Sequence, residues 1–145
     1  MKNRSVDWAL TLAKLVGCFR LARWATRRHL RILCYHGASL EDEHDFRRGL
    51  FISPELFADR MAYLDDAGYS VLSLDDALDR FDRGALPSLS AVITIDDGWF
   101  GTAHEMAPVL RKHGFSATLY LSTYYVINQT PVFNVAVSYV LWQAN

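Results

Sequence analysis

Cysteine is scarce in this chain, and its two copies, Cys18 and Cys34, stand far apart with no CxxC spacing. A disulfide framework and a zinc knuckle are both excluded, and two buried thiols are expected. Proline and glycine are also few, four and eight in 145 residues, so the composition is neither that of a linker nor that of a fibrous repeat. No apolar stretch approaches the ~20 residues a membrane-spanning helix needs. The nearest candidates, WALTLA and LVGCF, are cut by Lys14 and Arg20. A cleavable signal is a poor fit too, because Asp7 intrudes and no small-residue cleavage site follows. The five histidines, at 29, 36, 44, 104 and 113, include no pair spaced four apart. His104-Glu105 opens like a metalloprotease HExxH, but Pro108 occupies the fifth position and rules it out.

What the chain does have is apolar residues, 51% of the total with 13% aromatic, enough for the packed core of one domain. Its net charge of -1 hides a split. Residues 1–31 carry eight Lys or Arg against Asp7 alone, +7, and residues 32–145 carry seven against fifteen Asp or Glu, -8. The division predicts a basic helical head over residues 1–30 and a separate acidic body over 31–145. With Trp8, Phe19 and Trp24 among its cations, the head suits peripheral contact with an anionic membrane; the plainer alternative is a solvated helix packed on the body. Nucleic acid is not an expected partner, since the acidic body would repel phosphate.

Along the body, punctuation marks the elements. RILCYHG (residues 31–37) reads as a buried strand opening into a loop, and ASLEDEHDFRRG as that loop. Ser53 as N-cap, Pro54 at the first helical position, an apolar stripe of Phe57, Met61 and Leu64, and Gly68 as the stop define a helix, with Asp65 and Asp66 solvated in its last turn. YSVLSL (69–74) is a second strand, followed by a short helix that Asp75 can cap. AVITI (91–95), apolar on both faces, has the character of a parallel strand covered on both sides. Thr102 to Glu105 reads as a capping box for a helix disturbed at Pro108 and ended at Gly114, and SATLYLST (116–123) as a fourth strand. A loop through Pro131 and a helix from about Asn134 follow. Alternating strands and helices predict an α/β fold with a parallel sheet or barrel.

The apolar run ends in Asp96-Asp97-Gly98. Two adjacent carboxylates beside a low-dielectric core need solvent, a proton or a cation to relieve their repulsion. The chain has two other Asp pairs, but this one stands at the carboxyl end of a parallel strand, where α/β folds gather reacting groups, and the turn at Gly98 can swing both side chains toward one pocket. His36, at the matching end of the first strand, is expected either to line that pocket or to be a satisfied core residue. Trp99, directly after the pair, is a candidate for the pocket rim.

VITIDDGW, followed by a helix and then SATLYLST, resembles the first motif of the polysaccharide deacetylases, the NodB-homology or carbohydrate esterase family 4 group. CYHG is similar to that family's opening strand, and ISPELFADRMAYLDDAGYSVLSLDDAL to its first helix and second strand. The resemblance covers roughly residues 30 to 125. It implies the amino-terminal part of a deformed (β/α)7 barrel that removes acetyl groups from N-acetylated glycans. Asp96 is then similar to the catalytic base, and Asp97 to the carboxylate that ligates a divalent metal, usually zinc. One carboxylate holding the cation while the other accepts a proton is a workable division of labour. His36 and Trp99 are the candidate substrate contacts.

The chain departs from the family by lacking its later pair of histidines spaced four apart, and a catalytic zinc takes three protein ligands. The expectation is therefore a chain truncated before that motif, with the remaining ligands beyond Asn145. A catalytically inactive relative that binds glycan or membrane without turnover is the alternative. A glycosidase acid–base pair is disfavoured, because neighbouring residues rarely span the roughly 5 Å or more that glycosidases place between carboxyl groups. His113 is expected to partner helix carbonyls, and His44 to be solvated. The aromatics Tyr120, Tyr124, Tyr125, Phe133, Tyr139 and Trp142 are expected mainly to pack.

Overall fold

The computed structural model describes residues 4–144; residues 1–3 of the predicted head and Asn145 lie outside the described residues. Two helices, α1 (Arg4–Leu15) and α2 (Cys18–Ala25), form the head and join at Gly17, whose φ of 79° lets the chain turn between them. Neither helix buries a residue, and Trp8, Leu15 and Trp24 all face out. Among the described residues the head meets the body at least through the Leu89 N–H, which donates to the Arg27 carbonyl at 2.7 Å.

The body is built on a four-stranded, wholly parallel sheet. Its centre is β5 (Ser90–Asp97), whose β-branched, apolar sequence stays buried from Ser90 to Ile95. On one edge β1 (Arg31–Tyr35) pairs along Ala91–Ile95. Because β1 occupies that edge, β4 (Ser70–Leu72) and β6 (Ala117–Leu121) must share the other: β4 pairs with Ser90–Val92 and β6 with Ile93–Asp97. A small second sheet joins β2 (Gly37–Ala38) to β3 (Phe51–Ile52), so the segment after β1, read as loop, holds a strand and a one-turn helix, α3 (Glu43–Phe46).

Helix α4 (Pro54–Asp66) follows its punctuation closely. Ser53 Oγ accepts the Leu56 N–H at 3.2 Å, Pro54 opens the helix without an orphan donor, and Gly68, at φ 71°, turns the chain out of it. Its buried stripe, Phe57, Met61 and Leu64, meets Tyr35, Ile93 and Ile95 on the sheet and Met106 and Leu110 beyond. The Phe57 ring stands edge-on to Tyr35, 5.1 Å between centroids. Asp65, in its last turn, pairs with His113 Nδ1 at 2.8 Å, so this carboxylate has a protein partner and His113 serves a side chain, not helix carbonyls.

Three further local expectations are corrected. Helix α5 (Leu74–Asp82) is capped two residues earlier than predicted, by Ser73 Oγ on the Asp76 N–H. The Thr102–Glu105 capping box does not form. Thr102–Met106 is a π-helical turn, and Thr102 Oγ1 instead donates to the His36 carbonyl at 3.4 Å. Pro108, which has no N–H to give the His104 carbonyl, explains why the ladder widens there before α6 (Ala107–His113) takes over. Among the aromatics, Tyr120 and Tyr124 are exposed, because nothing among the described residues covers β6 or the helix after it, α7 (Thr123–Asn128), and Phe133, farther along, is exposed as well. Tyr139 and Trp142 do pack: both lie on α8 (Phe133–Gln143) against Phe46, while Tyr139 and Gln143 donate to the Asp42 carboxylate at 2.6 and 2.8 Å. No helix of the described residues is long and apolar enough to cross a membrane.

Candidate active site

The carboxyl ends of β1, β5 and β6 bring together His36, Asp96, Asp97 and Ser122. Register explains the first pairing. Cys34 lies opposite Thr94 and Tyr35 opposite Ile95, so the next step sets His36 level with Asp96, and the two-residue period of a strand puts Cys34, His36 and Asp96 on one face. His36 Nε2 lies 3.9 Å from Asp96 Oδ2, and the Cys34 thiol donates to the same oxygen at 3.3 Å. Partial desolvation, and then the Asp96 carboxylate that accepts its hydrogen bond, push the Cys34 thiol above its ordinary pKa, so it is a protonated donor at neutral pH. Both cysteines are exposed, against the expectation of buried thiols; the face of β1 that carries Cys34 has no covering element among the described residues.

Asp97 turns elsewhere. Its backbone sits at φ 70°, a left-handed conformation that Asp tolerates better than most residues at a cost of order 1 kcal/mol, and Gly98 follows at φ 77°. A methyl group at Gly98 would run into the Leu121 side chain, so only glycine lets the chain leave β5 this tightly. Asp97 Oδ2 accepts the Trp99 indole N–H at 3.2 Å, Oδ1 accepts the Ser122 hydroxyl at 3.3 Å, and its carbonyl takes the Ser122 N–H at 3.3 Å. Trp99 is half-buried, its ring edge-on to Phe51 at 5.1 Å and pressed against Gly37. Two residues on, Gly101 passes directly beneath the Ala38 carbonyl, leaving no room for a side chain.

The two carboxylates therefore engage different neighbours, where the sequence suggested one shared pocket. Asp96's partners Cys34 and His36 line a cleft of about 390 Å³ with His44, Asp45, Arg48 and Arg60; Asp97 and Trp99 line a separate one of about 490 Å³ with Ser122, Tyr125 and Val135. His44, expected to be solvated, holds the buried Ser39 hydroxyl through Nδ1 at 3.0 Å. The sequence reading missed Cys34 and Ser122. A Cys-x-His at a strand end signals two donors on one face, and that signal was available; Ser122, 25 residues from Asp97, is brought in only by the pairing of β5 with β6.

A catalytic zinc needs three protein donors. Among the described residues, Asp97 gathers no second His, Cys, Asp or Glu, and the one grouping of three such donors there is Cys34, His36 and Asp96. These residues alone do not make a metal centre on Asp97.

No protein-family model matches the chain. "Putative polysaccharide deacetylase YxkH" of Bacillus subtilis (strain 168) is 32% identical over 93 residues, 63% of this chain and 31% of that protein. Among solved structures, the Streptococcus pyogenes deacetylase PplD in complex with acetate superposes with a TM-score of 0.57 at 26% identity, over 63% of this chain and 42% of that one. The de-N-acetylase of Aggregatibacter actinomycetemcomitans gives 0.58 at 25% identity over 71% and 40%, and IcaB of Ammonifex degensii 0.55 at 27% over 63% and 37%. The chain spans about a third of the length of the curated relative and about two fifths of the solved ones. In sequence and in its mixed α/β fold with a parallel sheet, this chain is similar to the polysaccharide deacetylases, and the match is consistent with the amino-terminal part of their NodB-homology domain.

Proposed function

We propose that residues 31–145 are the amino-terminal part of a deformed (β/α)7-barrel hydrolase that removes acetyl groups from N-acetylated sugars in a polysaccharide or oligosaccharide. The observation that carries this reading is the Asp96-Asp97-Gly98 exit from the central parallel strand, within a chain whose relatives are deacetylases. In this reading Asp96 is the base. Hydrolysis consumes one water, breaking the amide C–N bond and leaving acetate and a free sugar amine; the Asp96 carboxylate takes the proton that the attacking water gives up, and that proton ends on the departing amine nitrogen. Its Oδ2 carries one hydrogen bond, from Cys34, and is about one-third exposed on its side chain, so it is open to a substrate. Asp97, oriented by Trp99 and Ser122, would contribute one carboxylate to a divalent metal, zinc foremost; the other donors come from outside the residues described. His36 and Trp99 flank the two carboxylates as substrate contacts. The head of residues 1–30, basic and with Trp8, Phe19 and Trp24 exposed, supports peripheral contact with an anionic membrane.

Acetate release from N-acetylglucosamine oligomers tests the reading, measured on this chain and on the longest reading frame that contains it. Asp96→Asn is expected to lower the rate of the active form by 100-fold or more, about 3 kcal/mol of transition-state stabilisation. The missing donors around Asp97 favour one other reading, an inactive relative that binds glycan without turnover. Glycan binding with no acetate released in any form would establish that alternative.

A further inference from the structure

We propose that Cys34, His36 and Asp96 form a binding site for a borderline-soft divalent cation, with zinc as the best fit, separate from the position assigned to Asp97. Three observations converge. The donor atoms Sγ, imidazole N and carboxylate O all lie within 4.8 Å of one another. Two of the separations are 3.3 Å (Sγ to Oδ2) and 3.9 Å (Nε2 to Oδ2). A tetrahedral zinc with bonds of about 2.0 to 2.3 Å sets its ligands about 3.3 to 3.8 Å apart, so little movement is needed to close on the ion.

The second observation is where the donors are mounted. Asp96 belongs to the central strand, Cys34 lies within β1, and His36 follows β1 directly with its carbonyl tied to Thr102. The main chain thus holds the group together, beside a cleft that Cys34 and His36 line. Third, the donor set selects. A thiolate and an imidazole disfavour calcium and magnesium, which take oxygen ligands, and suit zinc, cobalt or copper. Binding is coordination alone: the Sγ–H proton leaves to solvent as the sulfur–metal bond forms, and nothing is oxidised or reduced.

The site goes beyond the deacetylase reading and does not need it. If that reading holds, the two uses of Asp96 exclude each other, because a carboxylate oxygen bound to a cation is a poor proton acceptor.

Cobalt(II) titration of the full 145-residue chain, with the thiols reduced and no chelator present, tests the site by absorbance. The expected result is a near-ultraviolet thiolate-to-cobalt band with visible bands of tetrahedral strength, saturating at one ion per chain and bleached by added zinc. Cys34→Ser abolishes the near-ultraviolet band, and His36→Ala and Asp96→Asn each weaken binding by about tenfold or more. Cys18→Ser leaves the spectrum and the affinity unchanged. In a Cys18→Ser background, alkylating the single remaining thiol of the folded chain gives the same reading without a substitution at position 34. A featureless titration, a band that survives Cys34→Ser or the alkylation, or a band lost with Cys18→Ser would overturn the proposal. Because no outcome depends on acetate release, failure of the site and failure of the deacetylase reading are told apart.

Discussion

The two faces of the β1–β5 pair differ in what they carry. One face presents Leu33, Tyr35, Ile93 and Ile95 to α4, the π-helical turn and α6, and is closed by Phe57, Met61 and Met106, all fully buried. The other presents Ile32 and Cys34 from β1, both exposed, beside the buried Val92 and Thr94 of β5. The closed face accumulates apolar contact and holds the fold together, whereas the open face collects the thiol, imidazole and carboxylate. The same strands serve both ends because their side chains alternate.

Substitutions should separate the faces in stability measurements. Phe57→Ala, on the closed face, removes the ring that stands edge-on to Tyr35 and is expected to cost about 3 to 5 kcal/mol, read as a lowered midpoint in urea unfolding. Gly101→Ala drives a methyl group into the Ala38 carbonyl and should cost about 2 kcal/mol by forcing β2 away from the π-helical turn. A smaller effect belongs to the contact between α3 and α8. The Tyr139 hydroxyl, more than the Gln143 amide, holds the Asp42 carboxyl below the usual aspartate range, so its contribution to stability is present above that range and fades as acid lowers the pH through the depressed value. Tyr139→Phe should return the Asp42 pKa toward ordinary by carboxyl NMR titration; an unmoved pKa would show that the hydroxyl is not responsible. The smallest change belongs to the open face. Ile32→Thr should stay within about 0.5 kcal/mol of the parent, and a loss of 2 kcal/mol or more would mean that this face is covered after all.

Which parts were legible in the sequence follows the same division. Helix α4 could be read to the residue because Ser53, Pro54 and Gly68 act locally through main-chain geometry. The parallel class was legible in AVITI, since a strand buried on both faces has no polar alternation. Cys34 was misread because an apolar strand sequence does not say whether both its faces will find cover. Thr102 was misread because a capping box presumes a free helix start, whereas this hydroxyl is drawn to the His36 carbonyl, 66 residues away in sequence. The Asp pair was rightly placed at a strand end. Its split between two sets of partners depends on the left-handed turn at Asp97 and on Ser122, neither of which spacing reveals.

The shared edge of β5 sets a gradient of mobility along a single strand. From Ala91 to Ile95 the strand is flanked on both sides, by β1 and by either β4 or β6, whereas at Asp96 and Asp97 the pairing is to β6 alone, a strand whose Leu119, Tyr120 and Leu121 are all exposed. Amide protons should exchange slowly along the apolar stretch and faster at the two aspartates, which pair on one side only. Detaching β6 frees the carboxylate end while leaving β4 zipped to Ser90–Val92. The acidic tip can therefore adjust to what it binds without opening the core behind it.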